Sequence, residues 1–580
     1  MAYRLERWSK KQIRKQLQII RGEVAPTIVL KNATYLNNAR KKWLNANIWM
    51  YEDRIIYVGK EMPVKLDKTE IIDCSDRFVV PGYIEHHAHP FQLYNPQSFA
   101  EYASVRGTTT LVNDNLMLLL NSDKKKALTL IEKLDELPTT MLWWCRYDAQ
   151  TEFVQEDNVF SYSNMKAWLE HPLVVQGGEL TSWPKVLHGD DGILHWMQET
   201  KKHSKPIEGH FPGASEKTLT QMALLGVNSD HEAMTGEEVL MRLDMGYTTS
   251  LRHSSIRPDL PKLLEELIEL GLDDFSRVLM TTDGSTPSFY EQGVMDLLIK
   301  IALEKGIPDT EAYAMATYNA ARHYNLDDSL GMIAPGRIAH INILESKDKP
   351  LPISVLAKGQ WVKKDGVNCY PVTKFSWADY DINPLVIDWE LTEENLHFSM
   401  PLGIEMVNSV ILKPYQIATD VTQTEIPDDS YECYFMMVDK KGNWLINTVI
   451  KGFANHVSGF ASSFSNTGDI FIIGKNKKDM LLAFQELKKQ QGGIVLVENG
   501  EVINTVELGL YGVMSVKPME EVIKEERELT NALKERGYLF DDPIYSLLFF
   551  SSTHLPYIRV TQKGIFDVKK KTVLFPSIMR

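Results

Sequence analysis

The stretch Val79-Val80-Pro81-Gly82-Tyr83-Ile84-Glu85-His86-His87-Ala88-His89-Pro90 places three imidazoles behind an apolar run. Residues two apart on a strand point to the same side, so His87 and His89 aim at one point beyond the strand's end while His86 faces away. Paired histidines also occur as ordinary polar contacts, so this pair alone does not define a metal site. Further donors follow other apolar runs: Glu179 after Gly177-Gly178, His210 in Ile207-Glu208-Gly209-His210, His231 and Glu232 in Val227-Asn228-Ser229-Asp230-His231-Glu232, and Asp283 in Thr281-Thr282-Asp283-Gly284. Taken singly, a strand-end acid is more often a helix cap and a lone histidine a satisfied core group. Four imidazoles and two carboxylates in this order favour one shared role. Neutral imidazoles with hard carboxylate oxygens and no thiolate suit Mn2+, Fe2+ or Zn2+. Such an ion lowers the pKa of a bound water from roughly 15.7 to about 7, which points to hydrolysis.

Donors so far apart in the chain need a scaffold that brings strand ends together. Between Phe78 and Ala334, apolar runs alternate with helical stretches: Thr109–Val112 then 124–134, Leu173–Gly177 then 192–202, and Arg277–Thr281 then 291–305. Repeated strand–helix units predict a parallel sheet, and this length suits a (β/α)8 barrel over residues 78–334, whose strands deliver side chains to one mouth. Short β-rich runs flank it, Ile28–Leu30, Ala46–Met50 and Arg54–Gly59 before and Ile338–Leu344 and Val355–Val362 after. They predict one composite β-sandwich domain from residues 27–77 and 335–387. Residues 388–580 carry their own mixed α/β pattern and predict an independent C-terminal unit.

Composition narrows the function. With 44% hydrophobic and 24% charged residues the chain of 580 residues is an ordinary globular protein, and its net charge of -14 argues against a nucleic-acid backbone as partner. Cys74, Cys145, Cys369 and Cys433 are widely spaced, giving neither a disulfide framework nor a thiolate zinc site. No run reaches the ~18 apolar residues that span a bilayer. Residues 1–26 interleave Arg4, Arg7, Lys10, Lys11, Arg14 and Lys15 with Leu5, Trp8, Ile13 and Leu17, which predicts an amphipathic helix lying on the body rather than a secretory signal. The expected location is the cytoplasm.

Several motifs together carry a resemblance: Pro81-Gly82 through His89, Gly178-Glu179, Gly209-His210-Phe211-Pro212-Gly213, Ser229-Asp230-His231-Glu232 and Thr282-Asp283. Ala316-Thr317-Tyr318-Asn319-Ala320-Ala321-Arg322, Gly331-Met332-Ile333-Ala334-Pro335-Gly336, Gly492-Gly493-Ile494-Val495 and Gly512-Val513-Met514-Ser515 complete it. Over most of its length the sequence resembles the adenine deaminase family of the amidohydrolase superfamily. The resemblance implies a metal-binding α/β barrel with composite β and C-terminal domains, and hydrolytic deamination of adenine to hypoxanthine and ammonia. It implies His87 and His89 on one metal, His210 and His231 on a second, Glu179 bridging, and Asp283 as ligand and proton shuttle. Two divalent ions follow, Mn2+ ahead of Fe2+ or Zn2+, with a small purine substrate, no membrane partner and a homo-oligomeric state.

Glu232 is the expected proton donor to the ring nitrogen, or else a support for His231; Arg252 either orients substrate or pairs with a barrel carboxylate. The sequence departs from the family at Asp114-Asn115-Leu116-Met117 (usually Asp-Pro-His-Glu), at His253 in Arg252-His253-Ser254-Ser255, at Val294 and at Ser465-Asn466-Thr467-Gly468-Asp469. These changes keep two alternatives open: hydrolysis of another amino-heterocycle or cyclic amide, and a non-catalytic purine-binding relative.

Overall fold

The structure, a computed structural model, describes residues 8–154, 156–371 and 375–580. Eight strands pair in chain order, all parallel: β1 (Tyr83–Ala88), β2 (Thr108–Asp114), β3 (Thr140–Cys145), β4 (Val174–Leu180), β5 (Ile207–Gly209), β6 (Ser229–Asp230), β7 (Thr248–Arg252) and β8 (Val278–Thr281). Every residue in them is buried, as expected when helices cover one face and barrel side chains fill the other. The helices between them follow the periodicity that predicts them. Lys124–Leu134, capped by Asp123, buries Ala127, Leu130, Ile131 and Leu134. Asp191–Lys202, capped by Asp190, buries Ile193, Trp196 and Met197.

The ladder runs from β1 to β8, which lie side by side, and side chains join them. The Glu85 carboxylate accepts from Thr281 Oγ1 at 2.7 Å, Thr282 N at 2.9 Å, Thr282 Oγ1 at 2.7 Å and His87 N at 3.0 Å. Burial pushes the Glu85 carboxyl up, and these four donors oppose that shift.

The flanking β-rich pieces make one nine-stranded sheet rather than two separate layers. Phe78–Pro81 pairs parallel with Ile28–Asn37 and antiparallel with Ile341–Leu344, so this strand belongs to the composite sheet and not to the barrel, where the sequence boundary at residue 78 puts it. The chain changes sheets at Gly82, where a Cβ would stand 2.0 Å from Thr109 Oγ1; only glycine passes there. The sheet bends back on itself, with Ile55 N donating to Arg337 O and Gly336 N to Ile55 O. Strands from both ends of the chain segment therefore enclose one core that includes Leu30, Met50, Val79, Ile341 and Leu356.

Helix Lys10–Ile20, with a Ser9/Gln12 capping box, sets Ile19 against Val29, Trp49 and Tyr51 of that sheet. Arg4, Leu5 and Arg7 lie outside the described residues.

The C-terminal unit packs one face of its sheet against the barrel. Its nine-stranded sheet alternates strictly: Phe435, Met437, Phe471, Ile473, Ile494 and Leu496 join the same core as the barrel, while Tyr434, Met436, Val438, Ile470, Ile472, Val495 and Val497 face helix Lys477–Lys489 through Met480, Ala483, Phe484 and Leu487. Which neighbour covers that face is not readable in the sequence, because apolar runs buried on both faces do not name their partner. Its boundary also shifts: Leu385 and Ile387, assigned from sequence to the composite domain, pack in the C-terminal core. Among the described residues no helix is long and apolar enough to cross a membrane.

Glu85→Gln turns an acceptor into a donor facing hydroxyls and amides that need acceptors. The expected result is a lower urea midpoint, by about 1–3 kcal/mol of stability, measured by tryptophan fluorescence on full-length protein. An unchanged midpoint would show that the β1–β8 seam does not rely on this carboxylate.

Candidate metal centre and active site

The six predicted ligands converge at the carboxyl ends of the barrel strands. His87 and His89 come from β1 and the residue after it, Glu179 from β4, His210 and His231 directly follow β5 and β6, and Asp283 is the second residue past β8. Gly178 makes Glu179's position reachable: a Cβ there would stand 2.4 Å from the Glu208 carbonyl.

Glu179 sits between two histidine pairs. Oε2 lies 3.8 Å from His87 Nε2 and 4.0 Å from His89 Nε2; Oε1 lies 2.6 Å from His210 Nδ1 and 3.6 Å from His231 Nε2. Asp283 Oδ1 is 3.1 Å from His89 Nε2 and 3.6 Å from His87 Nε2. Donor atoms of His87, His89 and Glu179, of His87, His231 and Asp283, and of Glu179, His210 and His231 lie within 4.8 Å of one another in each trio.

Three orphaned atoms test the fit to metal. Both ring nitrogens of His87 and Glu179 Oε2 are buried without a hydrogen-bond partner. Arg146 Nη2 does lie 2.9 Å from Glu179 Oε2, close enough for an ion pair though not aligned as a hydrogen bond. Such atoms, in an imidazole and carboxylate set without thiolate, fit a divalent cation.

The supports behind these ligands are charged too. Asp114 Oδ2 lies 2.9 Å from His89 Nδ1 and 2.5 Å from Arg146 Nη2, and Glu208 Oε1 lies 3.0 Å from His231 Nδ1. Each carboxylate favours an N–H on the ring nitrogen it faces, which leaves the opposite nitrogen of His89 and of His231 as a lone pair toward the centre. Burial would raise the Asp114 carboxyl, but Arg146 and His89 more than offset it and hold it below the usual range. Asp230 anchors the neighbouring turns by pairing with Arg242 at 2.5 Å and accepting from Phe211 N and Glu232 N.

The two residues with open roles are tied to each other. Arg252 Nη1 reaches Asp283 Oδ2 at 2.6 Å and Glu232 Oε1 at 2.8 Å, and Arg257 Nη1 reaches Glu232 Oε2 at 2.5 Å. In this arrangement Arg252 pairs with barrel carboxylates instead of standing free for substrate. Burial works against the Glu232 charge, yet His210, His231 and the two guanidiniums hold its carboxyl well below the usual range. Here Glu232 is engaged by both guanidiniums, and its Oε1 lies 3.3 Å from Nε2 of His231, the neighbour it was alternatively expected to support.

Asp114, Arg146, Glu208 and Arg257 were not assigned from sequence. For the first three the available signal is a lone charge in or beside an apolar strand. Two further contacts have no such signal because they come from the C-terminal unit. The Tyr545 hydroxyl donates to Gly284 O at 2.6 Å and Asp283 O at 3.3 Å. The His554 ring lies 5.2 Å from that of His210, and burial, His210 and the charge of Arg559 push its imidazole down to about 3.

The departures from family pattern fall mostly in packing. Leu116, Met117 and Val294 are core residues, Asn115 Oδ1 accepts from Arg146 N at 3.1 Å, and the His253 ring lies 5.8 Å from Phe289. Ser465–Asp469 closes a local turn, with Ser465 Oγ donating to Asp469 O at 2.9 Å.

Comparison with known proteins agrees with this architecture. Residues 78–364 match the amidohydrolase family and residues 409–572 the adenine deaminase C-terminal domain. A protein of Halalkalibacterium halodurans named "Putative adenine deaminase BH0637" is 68% identical over 575 residues, 99% of each chain. The chain belongs to the adenine deaminase family of the amidohydrolases. Within that family, "Putative adenine deaminase YerA" of Bacillus subtilis is 53% identical over 580 residues, the whole of both chains. "Adenine deaminase" of Methanococcoides burtonii is 27% identical over 576 residues, 97% of this chain and 98% of that one.

Asp114→Asn can place an amide N–H against His89 Nδ1 and so reverse the ring's proton. Metal affinity is expected to fall about 10- to 100-fold, read by competition with a chromogenic chelator. Wild-type affinity in this variant would refute the orienting role.

Proposed function

We propose that the protein deaminates adenine hydrolytically to hypoxanthine and ammonia at a divalent metal centre in the barrel mouth. The observation that carries this reading is the convergence of His87, His89, Glu179, His210, His231 and Asp283 on one buried cluster. The full-length relatives named as adenine deaminases support the substrate.

His87, His89 and Asp283 would hold one ion, His210 and His231 a second, and Glu179 would span both. Ions bound there would supply Lewis acidity and a water whose pKa is lowered to about 7. Asp283, anchored by Arg252 on Oδ2, takes a proton from the attacking water and hands it to the departing amine. The water's oxygen stays on the ring carbon, its second proton ends on the ring nitrogen, and ammonia leaves. Glu232, kept ionised by Arg252 and Arg257, accepts an N–H of the purine and so orients it. Donor chemistry suits Mn2+, Fe2+ or Zn2+, and Mn2+ is the proposed metal on the family resemblance. A cytoplasmic location is proposed on the four unpaired cysteines, and a homo-oligomer on the family resemblance.

A second reading, turnover of another amino-heterocycle or cyclic amide, is favoured by Leu116 and Met117 standing where family members carry polar groups. Protein loaded with Mn2+ or Fe2+ is expected to release ammonia and hypoxanthine in equal amounts, and chelation to abolish both. Asp283→Asn is expected to lower kcat by about 10²- to 10⁴-fold. Fully metallated protein that leaves adenine intact but hydrolyses another heterocycle would replace adenine by the second reading. Purine binding without any turnover, indifferent to Asp283→Asn, would leave only a binding role.

A further inference from the structure

Strand β8 runs into a turn in which two consecutive residues are left-handed, Asp283 with φ of 44° and Gly284 with φ of 59°. A residue with a side chain disfavours that backbone and keeps it where neighbours impose it. On its inner side the turn has no slack, because a Cβ on Gly284 would stand 2.5 Å from His89 Cβ. From the barrel, Thr281 Oγ1 accepts the Asp283 amide at 2.9 Å and itself donates to Glu85 at 2.7 Å.

The carbonyls of the same turn are held by the C-terminal unit. The buried Tyr545, on helix Pro543–Phe549, donates its hydroxyl to Gly284 O at 2.6 Å, with a longer branch to Asp283 O at 3.3 Å. Asp542, which caps that helix, accepts from Tyr545 N through Oδ1 and from Thr286 Oγ1 through Oδ2, both at 3.0 Å. Helix Met519–Glu535 adds a further tie, with Ser288 N donating to Glu526 Oε2 at 3.0 Å. Packing alone does not call for a phenol at position 545. The Tyr545 ring lies 5.2 Å from that of Phe549, a contact phenylalanine would keep. What the hydroxyl adds is the pair of bonds to the turn that carries Asp283.

We propose that Tyr545 is a positioning residue for the reaction at the barrel centre: its hydroxyl, backed by the Asp542–Thr286 tie, fixes the turn at Asp283 and Gly284 and so the place of the Asp283 carboxylate. The C-terminal unit thereby sets the turnover number and leaves purine affinity to the barrel. This rests on the hydrolytic reading above and deepens it, since a carboxylate that moves a proton in both directions is sensitive to displacement in a way that a binding group is not. A shift of about 1 Å in a reacting group costs on the order of 100-fold in rate.

The test uses full-length protein, loaded with Mn2+ for ammonia release from adenine and with Co2+ for visible absorption. Tyr545→Phe is expected to lower kcat by about 10- to 100-fold, with KM and metal content at wild-type values. The Co2+ bands should shift, because the Asp283 carboxylate moves. Tyr538→Phe is the matched control. Its hydroxyl bonds Asp542 O at 2.9 Å and Ser546 Oγ at 2.7 Å in the same helical segment, away from the turn. That variant should keep wild-type kcat and spectrum. Wild-type kcat in Tyr545→Phe would overturn the proposal, as would a change in KM alone. An equal loss in Tyr538→Phe would also overturn it, since that would be general loosening. If Tyr545→Phe fails to fold, Thr286→Val cuts the neighbouring tie and should lower kcat and shift the bands; wild-type behaviour there would overturn the proposal. Wild-type protein that releases no ammonia from adenine would sink the deaminase reading, and the Co2+ spectra of the two phenylalanine variants would still decide whether Tyr545 positions Asp283.

Discussion

Three carboxylates, Glu179, Asp283 and Glu232, are buried within a few ångströms of one another, and the rest of the site follows from the need to neutralise them. Their mutual repulsion and loss of hydration would protonate isolated acids. Here Arg146, Arg252 and Arg257 face them directly, and four imidazoles fill the intervening space. No guanidinium serves a single acid: Arg146 joins Asp114 to Glu179, Arg252 joins Asp283 to Glu232, and Arg257 joins Glu232 to Asp259. Divalent ions would add to this balance instead of creating it, which lets the histidines stay arranged for binding.

The C-terminal unit completes the mouth from above. Tyr545 ties down the backbone that carries Asp283, and Asp283 itself has a left-handed backbone, with φ of 44°. Non-glycine residues adopt that conformation at a cost and hold it when their surroundings enforce it. The apolar face shared by barrel and C-terminal sheet packs beside this contact.

The sequence exposed the barrel and its ligands because parallel strands read as apolar runs and their ends read as donors. His87, His89, Glu179, His210, His231 and Asp283 all stand at such ends. What it hid was anything that depends on which surfaces meet. Arg252 and Glu232 carry no local sign that they bind each other, and Phe78–Pro81 reads equally as a barrel strand until its partners are known. Tyr545 and His554 sit hundreds of residues from the ligands they approach, in a segment with no repeating pattern. Asp114 and Glu208 were legible in principle, since an acid in an otherwise apolar strand needs a buried partner.

The composite sheet has a consequence for how the chain is made. Val79 pairs with Ile343 and Phe78 with Leu344, so the first half of that sheet emerges from the ribosome roughly 260 residues before its mate. At about 5–20 residues per second that interval is on the order of 10–50 seconds. Throughout it the open edge along Phe78–Pro81 is a template for any passing β-strand. Completion of that sheet thus waits on synthesis of the whole barrel, which separates Phe78–Pro81 from Ile341–Leu344.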